Sequence, residues 1–260
     1  MKMNYLKITK EFLGNFNPTF YITKGQRTKE GIDALVVTFA DEDSYIAEQY
    51  KVLRTNLYTL SATTETPIKT IMITSSIPRE GKGITASNLA FAISLDKTKK
   101  VLLIDADFRK PTIHELFGLP RMPGFSDLLS AKTNIEFFLK KPTLGNLYVI
   151  PSGNVMPNPA EALNVIKIKE IIEKVKSSFN YIIFDTPPVI NVTDALIIGP
   201  LCDAVILVVK AEVTPKSLIE ETFDLLKNAQ AKPKACILTN THIPQYHYYR
   251  HIYTEKNEAS

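Results

Sequence analysis

Nowhere in the 260 residues is there a run near the ~18 to 20 consecutive apolar residues that a membrane-spanning helix needs, which excludes a helical transmembrane protein. The first 30 residues lack the basic-then-apolar order of a secretory signal, so the chain is expected to stay in the cytosol. Cysteine is scarce: Cys202 and Cys236 are the whole supply. Both lie in apolar surroundings and read as small buried side chains in a reducing compartment, not as a disulfide framework. A large charge of one sign is missing too, since a net charge of +4 is too small to indicate a nucleic-acid partner. Internal repeats are absent. What is present is the balance of a soluble globular protein, 45% hydrophobic and 22% charged, over the length of one α/β domain. The basic excess is concentrated in residues 1–30, where Lys2, Lys7, Lys10, Lys24, Arg27 and Lys29 face only Glu11 and Glu30. Residues 1–34 therefore read as a basic N-terminal extension, either a solvated arm or one lying on anionic lipid.

Turn and charge signals bound six short apolar runs: Thr70–Ile73, Val101–Ile104, Leu147–Ile150, Tyr181–Phe184, Ala204–Val209 and Ala235–Leu238. They are continuous rather than alternating, the pattern of strands buried on both faces of a parallel sheet. Helical stretches such as Ala86–Leu95, Ile166–Val175 and Leu218–Leu226 lie between them. This alternation predicts an α/β fold with a doubly wound, mostly parallel sheet over residues 35–241. Ahead of the first run, Ile46, Tyr50, Leu53, Leu57 and Leu60 recur at spacings of four and three, which predicts an amphipathic helix. The shorter run Ala34–Phe39 is expected to add a strand. Residues 242–260 hold few aliphatics and read as a tail.

The first strand runs into Ser75-Ser76-Ile77-Pro78-Arg79-Glu80-Gly81-Lys82-Gly83, close to the P-loop pattern G-x-x-x-x-G-K-[ST] with Ser76 at the first glycine. Such a loop aims backbone N–H groups at phosphate oxygens while its lysine reaches the β- and γ-phosphates. Of only 10 glycines in the chain, two flank Lys82. The position after the lysine ordinarily carries the hydroxyl that ligates Mg²⁺. Here it is Gly83. Thr85 is no substitute, because two residues along a helix turn a side chain by roughly 200°. The reading is intact phosphate binding and weakened metal binding, with a water in place of the hydroxyl.

Val101–Ile104 ends in Asp105-Ala106-Asp107, and Tyr181–Phe184 ends in Asp185-Thr186-Pro187-Pro188. Ligands of open α/β sheets gather at the carboxyl ends of strands, so three aspartates there can share one Mg·ATP with the P-loop.

At this point the sequence resembles a known family. Asp105-Ala-Asp107-Phe-Arg109-Lys110-Pro111-Thr-Ile-His114-Glu-Leu-Phe117-Gly118 looks like the second Walker-type motif of the bacterial protein-tyrosine kinases (BY-kinases) of capsule and exopolysaccharide synthesis. Gly124-Phe-Ser126-Asp127-Leu128-Leu129 resembles the family's next helix. Pro151-Ser152-Gly153 through Pro157-Asn158-Pro159-Ala-Glu161 resembles its proline-rich loop. Glu48, Lys51 and Arg54 match its oligomerisation helix, with lysine where arginine is usual. The resemblance implies that Lys82 and the backbone of Glu80, Gly81, Gly83 and Ile84 hold the phosphates of ATP or ADP. It implies that Asp107 and Asp185 hold Mg²⁺, directly or through water, and that Asp105 is base or orienter for a tyrosine hydroxyl. Asn240 sits where related nucleotide-binding folds place an adenine contact. Arg109 and Lys110 are read as contacts to phosphate or to a neighbouring subunit, or as solvated. Assembly into a ring and a separate membrane-embedded activator of polysaccharide chain-length type follow from the same resemblance, with the chain at the inner face of the membrane through that partner.

The tail fits the pattern: Tyr246, Tyr248, Tyr249 and Tyr253 are four of the chain's 11 tyrosines. They resemble the family's autophosphorylated cluster. His242, His247 and His251 share the segment without the cysteine or carboxylate spacing of a metal site. The expected activity is ATP-dependent phosphorylation of tyrosine, including tyrosines of the tail. The alternatives are a nucleotide-binding scaffold that has lost catalysis through Gly83, and a partitioning-type ATPase switch.

Overall fold

The computed structural model of the chain describes residues 26–131, 134–142 and 145–241. All six expected strands form: β1 (Thr70–Ser75), β2 (Val101–Asp105), β3 (Leu147–Ile150), β4 (Tyr181–Asp185), β5 (Ala204–Lys210) and β6 (Pro233–Thr239). They pair in parallel in the order β3-β2-β4-β1-β5-β6. Every residue of β1, β2 and β4 is buried, which is why these strands read as unbroken apolar runs. Successive side chains still divide between the faces: Ile71 and Ile73 enter one core and Met72 the other.

Helices cover both faces. On the Ile71 side lie α1 (Val37–Ala40), α2 (Tyr45–Thr63), α3 (Lys82–Ser94) and α4 (Ile113–Leu116), which contribute Leu57, Leu89, Ile93 and Ile113 to the core. The opposite core takes Phe125 and Leu128 from α5 (Phe125–Ser130). It closes over α6 (Pro159–Ala162) with Ile168, Ile171 and Ile172 of α7 (Val165–Lys176), Ile198 of α8 (Asp194–Ile198) and Leu226 of α9 (Lys216–Asn228). This is a doubly wound α/β fold.

Ala34–Phe39 does not add a strand. Leu35 donates its N–H to the Asp33 carboxylate and Val36 donates to the Asp33 carbonyl, which turns the chain. Thr38 then spends its N–H on the Asn88 side chain at 3.0 Å, and the run ends as the helical turn α1. Just ahead of this run Ile32 is fully buried, and Asp33 N–H donates to the Leu116 carbonyl at 2.8 Å. Among the described residues no helix is long and apolar enough to cross a membrane. Cys202 is buried as expected, and Cys236, on the edge strand β6, is half-buried. Residues 1–25 and the tail with Tyr246, Tyr248, Tyr249 and Tyr253 lie outside the described residues.

Candidate nucleotide site

The strand order builds the site. Because β4 lies between β1 and β2, the P-loop after β1 and the aspartates ending β2 and β4 meet at one edge of the sheet, with Asp105 and Asp185 in register. Gly81 takes φ 91°, a left-handed conformation that suits glycine, and opens α3 directly above that edge. The first N–H groups of α3 have no acceptor within the helix and face outward from its positive end. Ser76 serves at the first glycine position because the loop's other left-handed residue is Arg79 (φ 67°). Its hydroxyl is buried and accepts from Thr222 of α9 at 2.9 Å.

Lys82 points into the aspartates. Its Nζ lies 2.6 Å from Asp107 Oδ2 and 4.0 Å from Asp185 Oδ1. Burial lowers the basicity of its ammonium, but the Asp185 and Asp107 charges outweigh that and raise it above the ordinary lysine value. Asp105 is fully buried, with one oxygen accepting Asp107 N–H at 3.1 Å and the other Ile113 N–H at 3.1 Å. Burial first, then the Asp185 charge, hold it well above the usual carboxylate range. Asp107 Oδ1 accepts Lys110 N–H at 2.9 Å, leaving Oδ2 to Lys82. Asp185 is fully buried and neither of its oxygens has a hydrogen-bond partner. Burial pushes it up to about 7, with Lys82 opposing and Asp107 adding to the rise.

The raised values of Asp105 and Asp185 mark a buried acidic cluster whose ionised form a bound cation favours. Among the described residues no three His, Cys, Asp or Glu side chains converge closely enough to hold a metal by themselves. Mg²⁺ takes one or two carboxylates and fills its remaining positions with water and phosphate. The Asp185 oxygens, which accept no hydrogen bond, fit such an ion.

Some expected residues are engaged elsewhere. Arg109 pairs with the buried Asp194 at 3.3 Å. On α2, Glu48 and Lys51 pair at 3.3 Å, while Arg54 turns inward and donates to the Ala92 carbonyl at 2.9 Å. Asn240 is exposed just past β6, its amide 3.5 Å from the Ala211 carbonyl. Thr85 is fully buried facing Tyr50, turned from the loop as the helical rotation requires.

Sequence reasoning missed the Glu80 side chain. Its carboxylate is 1% exposed and accepts from Ile77 N–H (2.7 Å), Lys210 N–H (3.0 Å) and the Thr214 hydroxyl. It ties the P-loop to the end of β5, and Thr239 ties it to β6 by donating to the Glu80 carbonyl at 2.8 Å. The available signal was chemical: an acid in an anion-binding loop has to be turned away and paired.

A phosphate-cradling loop at a helix N-terminus, a lysine and strand-end aspartates define a P-loop nucleotide-binding protein. The description of the family model matching residues 68–237 is an AAA domain. The chain is 35% identical over 222 residues to the tyrosine-protein kinase YwqD of Bacillus subtilis, covering 85% of this chain and 92% of that one. To the putative tyrosine-protein kinase CapB of Staphylococcus aureus it is 33% identical, over 82% and 92% of the two chains. The kinase domain of Escherichia coli tyrosine kinase ETK superposes with a TM-score of 0.76 at 29% identity, covering 84% of each chain. The Pyrococcus horikoshii septum site-determining protein MinD, at 22% identity and a TM-score of 0.57 over 68% and 74% of the chains, shares the fold alone. The chain belongs to the bacterial tyrosine-protein kinase family.

Proposed function

We propose that the protein transfers the γ-phosphate of ATP to tyrosine hydroxyls, including Tyr246, Tyr248, Tyr249 and Tyr253 of its own tail, in capsule or exopolysaccharide synthesis. The observation that carries the reading is the meeting of Lys82 with Asp107 and Asp185, whose oxygens accept no hydrogen bond, in front of the first turn of α3. Lys82 and the backbone of Glu80, Gly81, Gly83 and Ile84 bind the phosphates, and Asn240 meets the adenine. Asp107 and Asp185 hold Mg²⁺, which when bound neutralises charge between the β- and γ-phosphates. Asp105 is the orienter rather than the base, because both its oxygens are spent on backbone N–H groups that shape the loop carrying Asp107. Phosphoryl transfer depends mainly on positioning and charge stabilisation, and this set supplies both.

A membrane-embedded activator and a homo-oligomeric ring belong to the same proposal, with the chain held at the inner face of the membrane through that partner. The test is an anti-phosphotyrosine assay of the full chain with ATP and Mg²⁺, alone and with the activator's cytoplasmic segment. Signal is expected from the wild type and not from Lys82→Met, since Lys82 meets the γ-phosphate. Equal signal from both would overturn the assignment, and no signal from either would favour a scaffold that only binds nucleotide.

A further inference from the structure

The position that lacks its hydroxyl is not empty space. A Cβ placed on Gly83 would come within 2.6 Å of the Thr112 hydroxyl oxygen and 3.1 Å of Asp185 Oδ2. A side chain at 83 and the hydroxyl of Thr112 therefore compete for one volume, directly beside the fully buried carboxylate whose two oxygens lack hydrogen-bond partners. Thr112 is also held in place. It caps the start of α4, its carbonyl accepts Leu116 N–H at 3.0 Å, and the next residue, Ile113, donates to Asp105 Oδ2 at 3.1 Å.

We propose that Thr112 gives the Mg²⁺ of the bound nucleotide the hydroxyl that a serine or threonine at position 83 ordinarily gives. The idea rests on the nucleotide-binding reading above and deepens it. A neutral hydroxyl oxygen is a hard ligand of the kind Mg²⁺ prefers, and it adds to a site that has too few carboxylates to hold the ion alone. On this view Gly83 is not a mark of lost catalysis. The hydroxyl has moved from the P-loop to the loop after β2, and glycine at 83 is what makes room for it.

The test measures ADP affinity of the full chain with a fluorescent ADP, once with Mg²⁺ and once with EDTA. In the wild type Mg²⁺ is expected to tighten binding. Thr112→Val keeps the shape but removes the oxygen, and should cut that gain by roughly 10- to 100-fold, the range seen when a supporting group of a metal site is lost. Binding in EDTA should change little. Thr112→Ser should retain the gain. Gly83→Ser in a Thr112→Ala background should restore it, by returning the hydroxyl to the P-loop. A Thr112→Val protein with the wild-type Mg²⁺ gain would overturn the inference. So would an equal weakening in Mg²⁺ and in EDTA, which marks a structural role. If the wild type binds no ADP in either condition, the nucleotide reading fails and takes this inference with it. If ADP binds and only the Thr112 effect is missing, the nucleotide reading stands.

Discussion

An acid inside a phosphate-binding loop would repel its ligand if the carboxylate faced the anion. Glu80 avoids this by turning inward and gathering two backbone N–H groups and a hydroxyl from Ile77, Lys210 and Thr214. Its charge is spent on holding the loop shut against β5. Glu80→Ala leaves buried donors without an acceptor, at about 1–3 kcal/mol each. The expected result is a lower melting temperature and at least roughly tenfold weaker ADP binding in EDTA, where no metal contributes. Unchanged ADP affinity would separate the carboxylate from the shape of the loop. The same residue touches cysteine chemistry. Burial, with the Glu80 charge adding, pushes the Cys236 thiol up to about 11, and burial pushes Cys202 higher still. Since the thiolate is the nucleophile, iodoacetamide should label the native protein slowly at pH 8 and faster as pH rises toward 11. The urea-unfolded protein should label quickly at both positions. Native labelling of Cys236 at the unfolded rate at pH 8 would contradict this.

Between elements, Asp203 joins the start of β1 to the turn before β5. Its carboxylate accepts Lys69 N–H (3.0 Å), Thr70 N–H (2.8 Å) and the Thr70 hydroxyl (2.7 Å). Partial burial works against its charge, but the Thr70 and Lys69 hydrogen bonds prevail and hold it below the ordinary carboxylate value of 3.8. A depressed carboxylate stabilises the fold above its unfolded pKa and loses that contribution as pH falls through the folded one. Asp203→Ala should therefore lower the melting temperature at pH 7, and the gap to wild type should narrow as pH falls below 3.8. A gap that does not vary with pH would assign the loss to packing.

The elements differ in how far they could be read from the chain. β1, β2 and β4 were legible because strands buried on both faces leave a continuous apolar signature, and the turn residues bounding them were in the sequence. Ala34–Phe39 carried the same signature but lies beside the sheet, where Asp33 and Asn88 capture its N–H groups. In the site, the P-loop and three strand-end aspartates were legible because each sits at a fixed offset from a strand. Thr112 was not. Its approach to Gly83 depends on the loop after β2 crossing in front of β4 and β1, which only the tertiary order fixes.

At the scale of the whole molecule, the proposed homo-oligomer would assemble through α2, where Arg54 donates to the Ala92 carbonyl while Glu48 and Lys51 pair with each other. Light scattering should find the unphosphorylated chain oligomeric, and Glu48→Lys should dissociate it. Tail phosphorylation should also dissociate it, because each phosphate adds roughly −1.5 to −2 charges. A monomer at every concentration would contradict this. Truncation offers a second check. A chain lacking residues 1–34 should melt lower than one lacking residues 1–25, because the longer cut strips the buried Ile32 and the Asp33–Leu116 hydrogen bond.

The central claim is that this P-loop domain phosphorylates its own tail. Intact mass after incubation with ATP and Mg²⁺ tests it most directly, with the activator's cytoplasmic segment present. The wild type should show a ladder of phosphate additions. The ladder should vanish in Lys82→Met and in a chain whose Tyr246, Tyr248, Tyr249 and Tyr253 are all phenylalanine. A wild-type mass that stays unchanged, or a full ladder that survives loss of the four tyrosines, would contradict the account.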